Sequence, residues 1–364
     1  MKFIYFLTPV ALPLLLPATA LTSASASAAF KPDGGHPDIP WKQPPAADIG
    51  QLRQHARWAA AAYCDSPALM NWTCDPHCLD AGPMRIVGYT LGNDTGLQAY
   101  VGVVDNERRV VAAIRGSRNW KNWLLNIRFG KADYMFPDDE SGAAVHRGFA
   151  EAFELTGRPM IPDIMHQIEL LRQPEAAHQG NRRSSHQSAS NADPVEVVVT
   201  GHSLGGAIAT MMALELEREL EHKNTTLRAL NQVPLPPVHI ITSTFGAPRI
   251  GNRNFALLVG RELCDADRQR WCYRVTLNID LVSQVPPQIL QYIHGPHEVW
   301  AQSRSGTTDD LEYWFTNDTC VDMGVDTQTG LAVPIEDNNC QSGMKFYSLT
   351  SHRAAWDIQF NLRC

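Results

Sequence analysis

The stretch VVVTGHSLGGAIATMMALELE, Val197–Glu217, sets a serine between two glycines where a β-branched run gives way to a helical pattern. Val195–Val199 reads as a buried strand, and Ala207–Leu220 as a helix with alanine, methionine and leucine on its inner side. Between them the chain must reverse within a few residues. Gly201 and Gly205 suit that reversal, because side chains there would collide as strand and helix approach. The turn lifts Ser203 above the sheet's edge with its hydroxyl exposed. The helix start behind it offers backbone N–H groups and a positive dipole end to a developing oxyanion. In isolation a G-x-S-x-G pentapeptide arises by chance in about one chain in ten of this length. The strand before it and the helix after it give it meaning, and a glycine-rich turn without chemistry is the competing reading.

A serine hydroxyl is a poor nucleophile until a histidine takes its proton, and the histidine needs a carboxylate to fix its tautomer. On a strand–serine–helix elbow the chain order is serine, acid, histidine. The acid belongs just past a strand, and YRVTLNID ends in Asp280. Asp265 and Asp267 lie in a polar loop between two cysteines and are worse placed. Of thirteen histidines, His294, His297 and His352 follow Asp280. A loop returning from elsewhere to face the serine favours His352, though spacing alone leaves the three open.

Composition bounds the rest. A chain of 364 residues with 44% apolar and 19% charged residues reads as ordinary globular protein with a large core. A formal charge of −7 without a long basic run argues against a nucleic-acid partner. Residues 1–28 combine one positive charge, an apolar run broken by Pro9, Pro13 and Pro17, and a small-residue tail with A-x-A spacing, which predicts a secretory signal peptide. Residues 29–47 are rich in proline and glycine and read as an extended lead-in or propeptide. A secretory route gives the eight cysteines an oxidising compartment. CDPHC, Cys74–Cys78, is therefore read as a disulfide across a tight loop rather than a metal site, since no second ligand cluster appears. Four sequons, at Asn71, Asn93, Asn224 and Asn317, are candidate glycosylation sites.

Along the remaining 48–364, residues 48–63 look helical, followed by strand-like MRIVGYT, LQAYVGVVD and RRVVAAIRG. A helical stretch spans 148–172, and 172–194 collapses to a polar insertion loop containing Arg182-Arg183. PVHIITSTFGAP and WCYRVTLNI add two strands. Near-continuous apolar strands alternating with helices predict a mostly parallel central sheet covered by helices on both faces.

The segments RGS (115–117), HRGFAEAF (146–153), GHSLGGA (201–207), FGAPRIGN (245–252) and RVTLNIDLVSQVPP (274–287), with a late histidine, resemble in type and order the class 3 triacylglycerol lipases of filamentous fungi, whose relatives include feruloyl esterases. The resemblance runs from about residue 60 to the C-terminus and implies an α/β-hydrolase fold with a short helical lid. It makes Ser203 the nucleophile, Asp280 the acid and His352 the base, with oxyanion N–H donors at Ser117 and Leu204. It places His297 on a segment entering a strand, and His146 and His202 in the scaffold. It pairs Cys64 with Cys364 and Cys74 with Cys78; Cys264–Cys272 and Cys320–Cys340 follow from proximity in the sequence. Ser283 stands where the family usually has proline, and the 172–194 loop is long for it.

RNWKNWLLNIRFG follows Ser117 where the family's lid lies. Read as a helix, it puts Trp120, Trp123, Leu124 and Ile127 on one face; a core helix would show the same period. As a lid, that face hides over Ser203 when closed and is accepted by lipid when open. Exposing it to water would cost at most roughly 6–12 kcal/mol for four side chains. The expected activity is thus a secreted lipase acting on lipid esters at an interface, monomeric, touching lipid only peripherally, with no metal and no cofactor. The alternatives are a feruloyl-type or short-chain esterase, a phospholipase, and a non-catalytic secreted binding protein.

Overall fold

The computed structural model describes residues 46–92, 96–104, 106–117, 129–134, 142–172, 194–235, 237–303, 314–320, 323–325, 332–334, 336, 338 and 340–360. All of them belong to one compact unit, Pro37–Cys364. The leader, most of the lead-in, the expected lid and the polar insertion lie outside the described residues.

Eight strands form one sheet whose spatial order is the chain order: β1 (Arg85–Leu91), β2 (Gln98–Val104), β3 (Arg109–Ile114), β4 (Val195–His202), β5 (Val238–Phe245), β6 (Arg270–Leu277), β7 (Glu298–Ser303) and β8 (Trp314–Cys320). From β3 to β7 every pairing is parallel. The pairings β1–β2, β2–β3 and β7–β8 are antiparallel.

The strand period of two distributes the core. In β4, Val195, Val197 and Val199 face one layer and Val198 the other, which is why the run reads as continuously apolar. The first layer is built by α2 (Arg147–Ala152), α3 (Ile161–Arg172), α4 (Leu204–Ala229) and α5 (Arg253–Leu263), through Phe149, Ile164, Ile168, Ile208, Met212, Phe255 and Leu258. The opposite layer is α1 (Ile49–Ala61) with the C-terminal Trp356, Ile358 and Phe360, packed on Val198, Ile241, Val275 and Val299. Each such side chain, fully buried, contributes roughly 1.5–3 kcal/mol before entropy is counted. Asp48 caps α1 by accepting from the Gln51 N–H.

Three elements differ from the expected pattern. The stretch 148–172 is not one helix: after α2 comes a π-helical turn, Phe153–Gly157, and a 3-10 turn, Arg158–Met160, before α3. Pro159 cannot donate to the preceding turn, and Pro162 can start a helix but not continue one. Helix α4 begins at Leu204 rather than Ala207 and runs on through a solvated EHKNTTLRA tail to Ala229. Strand β8, WFTNDTC, is a polar edge strand without apolar alternation, and its sequence gave no signal.

Candidate active site

Strand β4 pairs with β5 as far as His202 and Phe245. The hydrogen bonding does not stop there: the Ser203 N–H donates to the Phe245 carbonyl at 2.9 Å, and the Gly206 N–H to the Ser203 carbonyl at 2.9 Å. These bonds hold Ser203 at φ 61°, ψ −132°, a backbone state that costs a non-glycine residue on the order of 1–3 kcal/mol. The serine is the residue before α4, yet its side chain does not cap the helix. Its Oγ, which the sequence reading left exposed, is buried, and it makes no hydrogen bond among the described residues. A hydroxyl kept free of structural duty on a strained turn is available for reaction.

The two glycines of the elbow act as the sequence reading required. A Cβ at Gly201 would land on the Gly205 carbonyl group, and one at Gly205 on the carbonyl of Ile114 in β3.

Asp280 lies just beyond β6 and is fully buried. Its Oδ1 accepts from the Val282 N–H at 2.8 Å and its Oδ2 from His352 Nδ1 at 2.7 Å. With Nδ1–H donating to the carboxylate, Nε2 is the ring nitrogen turned away from Asp280. Although 72 residues apart in sequence, the two are set by one backbone seam. Asp280 bridges Ser348 in parallel, the Ser348 N–H donates to Ile279 O at 2.7 Å, and the 3-10 turn Thr350–Arg353 then presents His352. Gln341 Nε2 faces the carbonyls of Leu277, Asn278 and Asp280 at 3.3–3.4 Å, covering the turn from below.

The ring of His202, next to Ser203, lies 4.5 Å from the ring of His352. Ser117 ends the described part of the loop after β3. Gly116 before it is so close to Ser203 that an added Cβ would stand 2.7 Å from the His202 carbonyl oxygen and 2.8 Å from Ser203 Cβ. Leu204, the first residue of α4, has its N–H at the open helix end. The structure thus brings Ser203, Leu204, Asp280 and His352, with the Gly116–Ser117 backbone, to the carboxyl ends of the parallel strands. His294 and His297 stand apart. His294 Nε2 donates to the Ser283 carbonyl at 2.7 Å, and His297 precedes β7. Trp120, Trp123, Leu124 and Ile127 lie outside the described residues.

Cys74 is bridged to Cys78 and Cys264 to Cys272, with Cα separations of 4.9 and 5.0 Å. The CDPHC sulfurs are consequently not thiolate ligands, and among the described residues no cluster of histidine, cysteine and carboxylate side chains is arranged to hold a metal. The other two expected bridges end on Cys364 and Cys320, whose side chains lie outside the described residues.

Three residues of this region escaped the sequence reading: Gly246, Tyr63 and Arg249. Each acts through a contact made across the fold, and FGAPR held the only local hint.

The fold is matched by known proteins. A family model described as lipase (class 3) matches residues 111–290. The secreted mono- and diacylglycerol lipase 1 of Fusarium solani is 30% identical over 261 residues, 70% of this chain and 63% of that protein. The chain belongs to the class 3 lipase family. A second member, a lipase of Rhizopus oryzae, is 28% identical over 267 residues, 72% of this chain and 56% of that protein. The chain spans about three-fifths of the length of these curated family members. Among solved structures, the Rhizomucor miehei lipase propeptide complex aligns with a TM-score of 0.62 at 22% identity, over 87% of this chain and 84% of that one. Rhizopus microsporus lipase gives 0.61 at 20%, over 89% and 94%. These matches show an α/β-hydrolase fold for this class 3 lipase chain.

Proposed function

We propose that this chain is a secreted serine hydrolase that cleaves carboxylic esters of acylglycerols at an oil–water interface. Ser203 attacks the ester carbonyl, and His352 takes its proton and passes it to the leaving alcohol. Asp280 holds the imidazole, and the N–H groups of Ser117 and Leu204 receive the oxyanion. Water then enters along the same path and releases the fatty acid from the acyl-enzyme. One observation carries the reading: a buried serine hydroxyl without a hydrogen bond on a strained turn, and a carboxylate–imidazole pair at 2.7 Å whose imidazole lies 4.5 Å from the ring of His202, the serine's neighbour in the chain.

The sequence reading of Trp120, Trp123, Leu124 and Ile127 as one apolar lid face supports an interfacial substrate. A lid that is mostly shut in water gains open population where lipid accepts that face. Secretion follows from the leader pattern and accords with relatives named as secreted lipases. The same reading makes the enzyme a monomer that meets lipid only at its surface. A second reading, preference for partial glycerides, has its support in the Fusarium solani and Penicillium cyclopium relatives, both named mono- and diacylglycerol lipases.

Hydrolysis of tributyrin from below to above its solubility limit tests the proposal, with Ser203→Ala as control. The expected result is a rise in rate at the limit that the variant lacks. Saturation below the limit makes the protein a soluble-ester hydrolase, and turnover independent of Ser203 ends the proposal. Dibutyrin and monobutyrin in the same assay separate the two acylglycerol readings.

A further inference from the structure

We infer that the Tyr63 hydroxyl and the His202 imidazole form a one-directional hydrogen-bond relay that positions His352 and the Gly116–Ser117 backbone, an assignment that rests on the reading of the site proposed above. The family resemblance left His202 as scaffold. Its hydrogen bonds assign it more.

The direction of each bond has a single solution. His202 Nε2 lies 2.8 Å from the backbone carbonyl of His352, and a carbonyl only accepts, so Nε2 carries the proton. The ring is neutral: burial, and then the neighbouring His352, hold it well below the usual imidazole range. A neutral ring protonated at Nε2 has its lone pair on Nδ1. The Tyr63 O–H, 2.7 Å away, therefore donates to it. With its proton spent there, the Tyr63 oxygen accepts from the Gly116 N–H at 3.2 Å.

The relay thus runs from the residue before Ser117, through Tyr63 and His202, to the backbone of His352. The imidazole is fixed in plane by Phe360, stacked at 4.1 Å and 7°, and Tyr63 meets it edge-on at 5.7 Å. Tyr63 follows the end of α1, so the layer opposite α4 reaches the reacting groups through this hydroxyl as well as through Phe360.

Removing the hydroxyl forces a choice. If His202 keeps its proton on Nε2, its buried Nδ1 lone pair faces no donor. If the proton moves to Nδ1, the His352 carbonyl loses its donor and confronts a lone pair. In both cases Gly116 N–H loses its acceptor. Tyr63 and His202 are positioning residues: they act on geometry at His352 and the oxyanion loop, and so on kcat.

The test uses the full chain and a soluble short-chain ester, p-nitrophenyl butyrate, below its solubility limit. Tyr63→Phe is expected to lower kcat by about 10- to 100-fold with KM held within about twofold. His202→Gln keeps one acceptor and one donor and should lose less than His202→Leu, which keeps neither. The double variant Tyr63→Phe/His202→Leu should fall by less than the product of the two single losses, because both cut the same relay.

Thermal unfolding of each variant identifies those that fold. If Tyr63→Phe does not, the Gln and Leu variants decide, and equal kcat in those two overturns the relay. Unchanged kcat in folded Tyr63→Phe, or losses that simply add in the double variant, overturn it as well. Ser203→Ala runs alongside. Turnover that survives in it, or no turnover in the unsubstituted chain, overturns the reading of the site and the relay with it. Ser203-dependent turnover with Tyr63→Phe unchanged overturns the relay alone.

Discussion

Gly246 shows how much of the site rests on one absent side chain. It follows β5 at φ 56°, where an L residue is strained, and a Cβ there would stand 2.9 Å from Asp280 Oδ2 and 3.0 Å from His352 Nδ1. Gly246→Ala pushes directly on the carboxylate–imidazole bond. We expect kcat on a soluble ester to fall by at least about tenfold, because a shift of a few tenths of an ångström at such a pair disrupts preorganised geometry. Steady-state kinetics with a thermal melt check it; an alanine variant with wild-type kcat would show that the pair tolerates the wedge. FGAP names the glycine but not its duty. Ser203, by contrast, was legible because its strand, turn and helix are contiguous. Asp280 and His352 were legible as types in order, and their pairing needed the seam between Ile279 and Ser348.

Among elements, the loop after β6 depends on a buried cation. Arg249, just beyond β5, forms a bidentate pair with Glu336, 2.6 Å at both contacts, and both side chains are 3% exposed. The same guanidinium donates to the carbonyls of Gln284 and Pro286 and to Gln284 Oε1, while Glu336 also accepts from the His294 N–H and Gln288 Nε2. One ion pair therefore joins the β5 exit, the 282–288 turn behind Asp280 and the segment at 336. Despite the cost of its burial, Glu336 is held down to about 2 by its bonds to Arg249. Arg249 stood in the sequence only as one letter of FGAPRIGN, and nothing there singled out Glu336; neither sign nor spacing predicts that they meet across 87 residues. Arg249→Met leaves the carboxylate buried without its cation, and we expect a loss of roughly 3–5 kcal/mol. Urea unfolding followed by tryptophan fluorescence measures it. A loss below about 1 kcal/mol would mean that the pair is solvated and the loop held by something else. The strands were the easy part of this scale, since β4, β5 and β6 are covered on both faces and so read as unbroken apolar runs. Edge strand β8 lacks that imprint, and the prolines at 159 and 162 marked an interruption that periodicity alone passed over.

For the whole molecule, buried histidines set the acid limit. His55 lies between α1 and the sheet with Nδ1 2.9 Å from Ser243 Oγ, and burial lowers it from 6.5 to about 3. Burial likewise holds His202 and His294 well below their ordinary value. In each the folded value lies under the unfolded one, so between the two the unfolded chain binds a proton that the folded chain refuses. Stability is full above about 6.5 and falls as the pH drops from there toward the folded values. At pH 5 His55 alone removes roughly 2 kcal/mol, and His202 and His294 add losses of the same sign, against a total that for ordinary domains is about 5–15 kcal/mol. The carboxylate of Glu336 adds a loss of the same sign only below about 4.5. Urea unfolding at pH 7.5 and pH 5.0 should therefore differ by at least about 2 kcal/mol. In His55→Gln, which carries no titrating ring, the difference should shrink by about 2 kcal/mol. Equal stability at the two pH values would mean that these rings find protons or water in the folded state, and would remove the reason for keeping His202 neutral in its relay.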